Sequence, residues 1–262
     1  MALGGLADGA TEDWTMKLLL INPNTTQAIT DLVLAEARKI AAPDTELAAA
    51  TGRFGGRYVA SRATYAIAGH AALDAYAEHG QSADVVVLAC FGDPALMVLK
   101  EVAHQPVVGM AEASCLTAAA LGGRFAIVTG GERWGPMLRE FVASIGLGEQ
   151  LATVETVAPT GADIARDPEQ ALDLLVGACC ACVERHGVAS VILGGAGLAG
   201  LSSRIAARVP VPLIDSLAAC VRMAEQRAPG RLQNAAVSAT HRSEPAPTTG
   251  LSDRLTRLLS GR

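Results

Sequence analysis

The sequence predicts an α/β protein made of two similar doubly wound domains, each with a four-stranded parallel sheet. The domains are expected to be related by pseudo-twofold symmetry, with the active site in the cleft between them. Three observations carry this expectation. Short β-branched runs alternate with longer Ala/Leu stretches at helical spacing, the pattern of a parallel sheet covered by helices. The strand candidates, at 17–21, 46–50, 85–89, 107–109, 125–129, 152–157, 191–194 and 212–214, separate into two groups of four. The groups also repeat one another: KLLLINPNT at 17–25 matches RFAIVTGGE at 124–132, ADVVVLACFG at 83–92 matches ASVILGGAGL at 189–198, and PVVGM at 106–110 matches VPLID at 211–215. All three offsets fall between about 104 and 107. Two copies make a duplication and not a solenoid.

In chain order, residues 1–15 carry Asp8, Glu12 and Asp13 but no Lys or Arg, and no apolar stretch of signal-peptide length follows. They read as a disordered extension, with the fold beginning at Met16. The first α/β domain is expected over 16–111 and the second over 112–212. A helix over 213–228 returns to the first domain. The tail over 229–262 is rich in Pro, Ser, Thr and Arg, and a short helix is expected near 251–259.

Composition narrows the function. Half of the 262 residues are hydrophobic, enough for a sizeable core. The net charge of -5 comes without a dense Lys/Arg run, so no nucleic acid partner is expected. The most apolar segment, 188–201, contains four glycines and is too short to cross a bilayer. No membrane association is expected. Six cysteines occur without zinc-ligand spacing, and Cys179, Cys180 and Cys182 crowd one helical stretch where they cannot pair without strain. Reduced thiols and a cytoplasmic location follow as expectations. The partner is expected to be a small-molecule substrate, and the protein a homo-oligomer.

In doubly wound sheets ligands sit beyond the carboxyl ends of the strands, so chemistry belongs in the loops at 22–26, 90–94, 129–134 and 194–200. Cys90 follows the third strand, with Phe91 and Gly92 beside it, and Pro94 suits the first turn of a following helix. Backbone N–H groups at that helix start would stabilise a thiolate; the bland alternative for Cys90 is a small buried core thiol. Asn22, Asn24 and Thr25 can donate hydrogen bonds to a substrate, or cap the helical run that follows. Thr129 occupies the corresponding place in the second domain. Gly194, Gly195 and Gly197, with Ala196 among them, leave N–H groups open to a carboxylate or enolate oxygen, or serve a tight turn. Asp93 and Glu112 are further acid/base candidates, against helix capping for Asp93 and pairing with Arg for Glu112. His70 and His79 read as surface or packing residues, and the cysteines at 179–182 as a core helix face.

INPNT at 21–25, ACFGDP at 89–94, VVGMAEA at 107–113 and FAIVT at 125–129 resemble the hydantoin racemase branch of the aspartate/glutamate/hydantoin racemase superfamily, over nearly all of 16–227. The resemblance implies a cofactor-independent racemase or epimerase acting by proton transfer at the acidic carbon of a hydantoin, amino acid or related small carboxylate, and with no metal site visible in the sequence no metal is expected. One cysteine takes the proton and a second returns it on the other face. It implies Cys90 as an acid/base residue and favours Asn24 and Thr25 as ligands; Ser61 and Tyr65 lie where relatives place a substrate-side loop. The second cysteine falls in a segment resembling LGCAGM, and this chain has Gly195 there, or Ala196 by the internal repeat. The alternatives are a single-cysteine, arylmalonate-decarboxylase-like lyase and a non-catalytic small-molecule binding protein. A cysteine placed at Gly195 is expected to supply the second thiol, provided the backbone there does not need a positive φ.

Overall fold

A computed structural model describes residues 15–229 and 248–260. Apart from Thr15, the extension expected over 1–15 lies outside the described residues, as does 230–247 of the tail. Strands β1 (Met16–Asn22), β2 (Thr45–Thr51), β3 (Val85–Leu88) and β4 (Val107–Gly109) form one parallel sheet in the order β2-β1-β3-β4. Strands β5 (Phe125–Gly130), β6 (Leu151–Val157), β7 (Ser190–Gly194) and β8 (Leu213–Asp215) form a second in the order β6-β5-β7-β8. All eight expected strands are present, and the two halves share one topology. Helices α1 (Gln27–Ile40), α2 (Arg62–His79), α3 (Leu96–Val102) and α4 (Met110–Ala120) belong to the first half. Helices α5 (Trp134–Ser144), α6 (Gly161–Arg166), α7 (Pro168–His186) and α8 (Ser202–Ile205) belong to the second, followed by α9 (Ser216–Arg227) and α10 (Asp253–Leu259).

Strand alternation explains the layers, because successive side chains point to opposite faces. Leu18, Leu20, Val85 and Val87 face one core while Leu19, Ile21, Val86 and Leu88 face another, under α2. In the second sheet Phe125, Ile127, Ile192 and Ile214 join the first of these cores, whereas Ala126, Val128, Val191 and Leu193 pack under α7. The two sheets therefore share a central layer, to which α1, α4, α5 and α9 contribute Val33, Cys115, Leu138 and Cys220.

Residue 212 does not end the second sheet, since β8 over 213–215 pairs with β7. Asp215 then caps α9 by accepting from the Ala218 N–H, and α9 packs back on α4, α1 and β3. Glu225 fixes its far end by accepting from the Ala42 N–H and the Thr45 hydroxyl. Register also relates the halves: Ile21 pairs with Leu88, and Val128 with Leu193. With Ile21 matched to Val128 by the internal repeat, Cys90 and Gly195 each stand two residues beyond equivalent strand positions. Among the described residues no helix is long and apolar enough to cross a membrane.

Candidate active site

Cys90 begins a constrained loop between β3 and α3. The Asp93 N–H donates to the Cys90 carbonyl at 3.0 Å, and the Leu96 N–H donates to the Asp93 carbonyl at 3.1 Å. Gly92, Asp93 and Ala95 all have positive φ, at 112°, 54° and 64°. Asp93 and Ala95 are the non-glycine residues in that region among those described, and each costs of order 1–3 kcal/mol there. Surrounding contacts hold the strain: the Tyr65 hydroxyl donates to the Gly92 carbonyl at 2.8 Å, and the Asp93 carboxylate accepts from the N–H groups of Ala111 and Glu112 at 2.9 and 2.7 Å. Asp93 thus caps α4 and not the helix that follows it in sequence.

This geometry corrects one expectation. Helix α3 starts at Leu96, so Pro94 lies outside it and the helix begins six residues beyond the thiol. Burial and the neighbouring Asp93 push the Cys90 thiol up to about 12, so it is held protonated. Burial also lifts Asp93 to about 7, against its two backbone hydrogen bonds and the charge of Lys100.

Cys90 opens into a cleft between the strand ends of the two halves, with about 490 Å³ of free space, part of it open to solvent. Asn24, Tyr58, Val59 and Phe91 line it from the first half, and Thr129, Gly130, Trp134 and the 195–198 turn from the second. Among the described residues that line it, none is Lys, Arg, His, Asp or Glu. Of the residues expected at the site, Asn24, Cys90, Phe91, Thr129, Gly195 and Ala196 meet here. Asn24 accepts from the Thr26 N–H at 2.9 Å and from the Asn22 amide at 3.1 Å through one side-chain oxygen, which leaves its own amide for the cleft.

The others serve as supports. Asn22 is buried and gives its amide to Asn24 and to the Thr30 hydroxyl. The Thr25 N–H donates to the Gly56 carbonyl, and Gly92 packs so closely on Trp134 that a Cβ would lie 2.6 Å from the indole. Gly194 makes room for Phe91, whose ring would be 2.4 Å from a Cβ. The Gly195 N–H, expected to face an enolate oxygen, instead donates to the Ser216 hydroxyl at 3.3 Å. Gly195 has a φ of 142°, so the condition set for a cysteine there is not met.

Ser61 caps α2 in a capping box with Thr64. Glu112 pairs with Lys100, and with Arg227 at 3.7 Å. His70 lies exposed with its ring against Phe54, His79 is exposed too, and Cys179 and Cys182 are buried in the core under α7. Among the described residues no cluster of three or more His, Cys, Asp or Glu could hold a metal ion.

Sequence reading missed Tyr58 and Val59, in the β2–α2 loop, and gave Trp134 no role although it named the loop at 129–134. The Tyr58 hydroxyl donates to the Gly130 carbonyl at 3.1 Å and accepts from the Trp134 indole N–H at 3.1 Å, so it spans the two halves. The available signal was an aromatic in a glycine-rich loop, in a chain with 3% aromatics.

A family model described as Asp/Glu/Hydantoin racemase matches residues 18–224. A hydantoin racemase of Pseudomonas sp. (strain NS671) is 32% identical over 80% of this chain and 85% of its own length. Among solved structures, allantoin racemase from Klebsiella pneumoniae is 31% identical with a TM-score of 0.76, covering 81% of this chain and 87% of its own. Allantoin racemase from Pseudomonas fluorescens is 28% identical with a TM-score of 0.80, covering 90% and 100%.

Proposed function

The chain belongs to the Asp/Glu/hydantoin racemase family and is a racemase, and we propose that it inverts the acidic ring carbon of an uncharged hydantoin-type substrate by proton transfer through Cys90. The observation that carries the substrate class is the lining itself: one thiol, amide and hydroxyl donors, aromatic and aliphatic walls, and among the described residues no charged side chain. A zwitterionic amino acid or a carboxylate would leave its charge unpaired in this cleft, at a cost of several kcal/mol. A neutral ring carrying carbonyls does not. Its polar edge suits Asn24 and Thr129, and its substituent suits Phe91, Val59, Trp134 and Leu198.

The reaction follows from this placement. Cys90 in its thiolate form takes the proton from the carbon beside the carbonyl. The C–H electron pair moves into the ring as an enolate, and the Asn24 amide and Thr129 hydroxyl donate to the oxygen that gains charge. Reprotonation on the other face completes inversion. These steps are proton transfers, which the side chains themselves can perform without a cofactor. A one-thiol decarboxylase of an arylmalonate would also use a single cysteine, but its dianionic substrate would meet no cation here.

The test follows optical rotation and deuterium uptake from heavy water for alkyl- and benzylhydantoins, free amino acids and arylmalonates, with carbon dioxide release as a third readout. Hydantoins are expected to exchange and invert, and Cys90→Ala to lose at least ~100-fold of that rate with the fold intact. Turnover confined to amino acids or malonates, or a loss under threefold in Cys90→Ala, overturns the reading.

A further inference from the structure

Inversion needs a proton donor or acceptor on each face of the planar intermediate, and the position equivalent to Cys90 in the second half is Gly195, which has no side chain. Among the described residues lining the cleft, the ionisable groups are Cys90 and Tyr58. Tyr58 starts from the β2–α2 loop of the first half, yet its hydroxyl lies at the rim of the second. It reaches the Gly130 carbonyl at the end of β5, and a Cβ on Gly131 would stand 2.8 Å from it. Strand β5 is the neighbour of β7, which ends at the turn holding Gly195. The phenol therefore lies on the side of the cleft that a second thiol would occupy.

We propose that Tyr58 is the second proton-transfer group of the cleft, acting on the substrate face turned toward the second half and opposite Cys90. The assignment rests on the racemase reading above. Burial raises the phenol above its ordinary value, and the Trp134 indole N–H, pointing at the hydroxyl oxygen at 3.1 Å, offsets part of that by favouring the phenolate. In one direction the Cys90 thiolate takes the carbon-bound proton and becomes the thiol. The intermediate then takes the proton of the Tyr58 hydroxyl at the same carbon, leaving the phenolate. Solvent water carries a proton from the thiol to the phenolate and restores the starting state. The reverse direction begins from the phenolate and the Cys90 thiol, so no oxidant, reductant or co-reactant is consumed.

The experiment compares wild type, Tyr58→Phe, Cys90→Ala and Trp134→Phe on each enantiomer of benzylhydantoin in heavy water. Inversion is read by optical rotation, and exchange with retained configuration by proton resonance. Tyr58→Phe is expected to lose at least ~100-fold of inversion while one enantiomer still exchanges through Cys90. Cys90→Ala is expected to exchange the other enantiomer only. Trp134→Phe, which keeps an aromatic wall for the substituent, should lower kcat by more than it raises KM, since the indole N–H is needed when Tyr58 carries charge. Circular dichroism checks that each variant is folded, and Trp134→Phe tests the idea without altering Tyr58 should Tyr58→Phe fail to fold. Inversion by Tyr58→Phe within threefold of wild type overturns the assignment, as does equal loss of exchange for both enantiomers with raised KM, which marks a binding role. Wild type that inverts no hydantoin overturns the function reading and this assignment with it. Wild-type inversion that survives in Tyr58→Phe overturns this assignment alone.

Discussion

The backbone N–H of Asp93 donates to the carbonyl of Cys90 at 3.0 Å, so the thiol and a buried carboxylate are fixed at the two ends of one closed turn. Both are buried, and the carboxylate is anchored a second time by two N–H groups of α4. Each anion raises the cost of forming the other, and the thiol bears part of that cost. Asp93→Asn removes the charge, so the Cys90 thiol should titrate lower. Its modification by iodoacetamide, taken as the difference from the same variant carrying Cys90→Ala, should be several-fold faster at neutral pH. The amide can accept only one of the two N–H bonds, so stability at acid pH should fall by about 1–3 kcal/mol. An unchanged modification rate in a folded variant would remove the electrostatic link.

The same carboxyl makes stability depend on pH. Asp93 is raised to about 7 in the folded chain, against about 3.9 when unfolded. Between those values the native state holds a proton that the unfolded state has released. Stability from this group is therefore fully present below ~4, falls as pH rises toward ~7, and levels off above. The slope is at most about 1.4 kcal/mol per pH unit. The urea midpoint of wild type should fall from acid to neutral pH while that of Asp93→Asn does not, so the gap between them closes and then reverses. Parallel curves would show that Asp93 ionises at its ordinary value.

For catalysis, the Cys90 value of about 12 places the thiolate as a minor species throughout the neutral range. Facing groups do not offset this: Asp93 is acidic, and the Tyr58 and Tyr65 hydroxyls are themselves raised by burial. With Cys90 as base, kcat/KM should rise about tenfold per pH unit through neutrality, less steeply where Asp93 ionises, because this ratio reports the free enzyme. A plateau below pH ~8 would show that the thiol is far more acidic than its surroundings imply.

Much of this was legible in the sequence. The eight strands appear as β-branched runs because parallel strands are buried on both faces, and their order follows the repeat. What eluded the sequence are features made by tertiary contact. The start of α3 was displaced because Asp93 and Ala95 adopt positive φ with no glycine to announce it. Asn22 and Asn24 look alike in INPNT, yet the Thr30 hydroxyl draws one inward while the other meets the cleft. Tyr58 and Trp134 stand 76 residues apart and acquire meaning only when their hydrogen bond closes the cleft wall.

Gly194 is a steric requirement, because its Cβ would lie 2.4 Å from two atoms of the Phe91 ring. Gly194→Ala should displace Phe91, which adjoins Cys90. Turnover should drop more than stability, since the ring can turn toward the open cleft while the thiol's loop loses its packing. Activity equal to wild type would show that Phe91 does not position Cys90.

A second thiol needs a backbone position that tolerates a side chain. Register makes Gly195 the equivalent of Cys90, but its φ of 142° is a conformation that L side chains rarely adopt. A Cβ there would stand 3.1 Å from a Leu198 methyl. Gly195→Cys should therefore lose about 1–3 kcal/mol and invert no faster than Gly195→Ser. Ala196 lines the same cleft, already carries a Cβ and lacks the positive φ, so Ala196→Cys should keep wild-type stability. It stands one residue past the equivalent position, so the gain in inversion over Ala196→Ser should be on the order of tenfold, short of the ~100-fold of a well-placed group. Optical rotation and deuterium uptake on one hydantoin, with urea midpoints for all four variants, separate the cases. A stable Gly195→Cys that inverts faster than Gly195→Ser would show that this backbone relaxes at little cost. No gain in either cysteine variant would mean that the substrate carbon does not lie between Cys90 and the 195–198 turn.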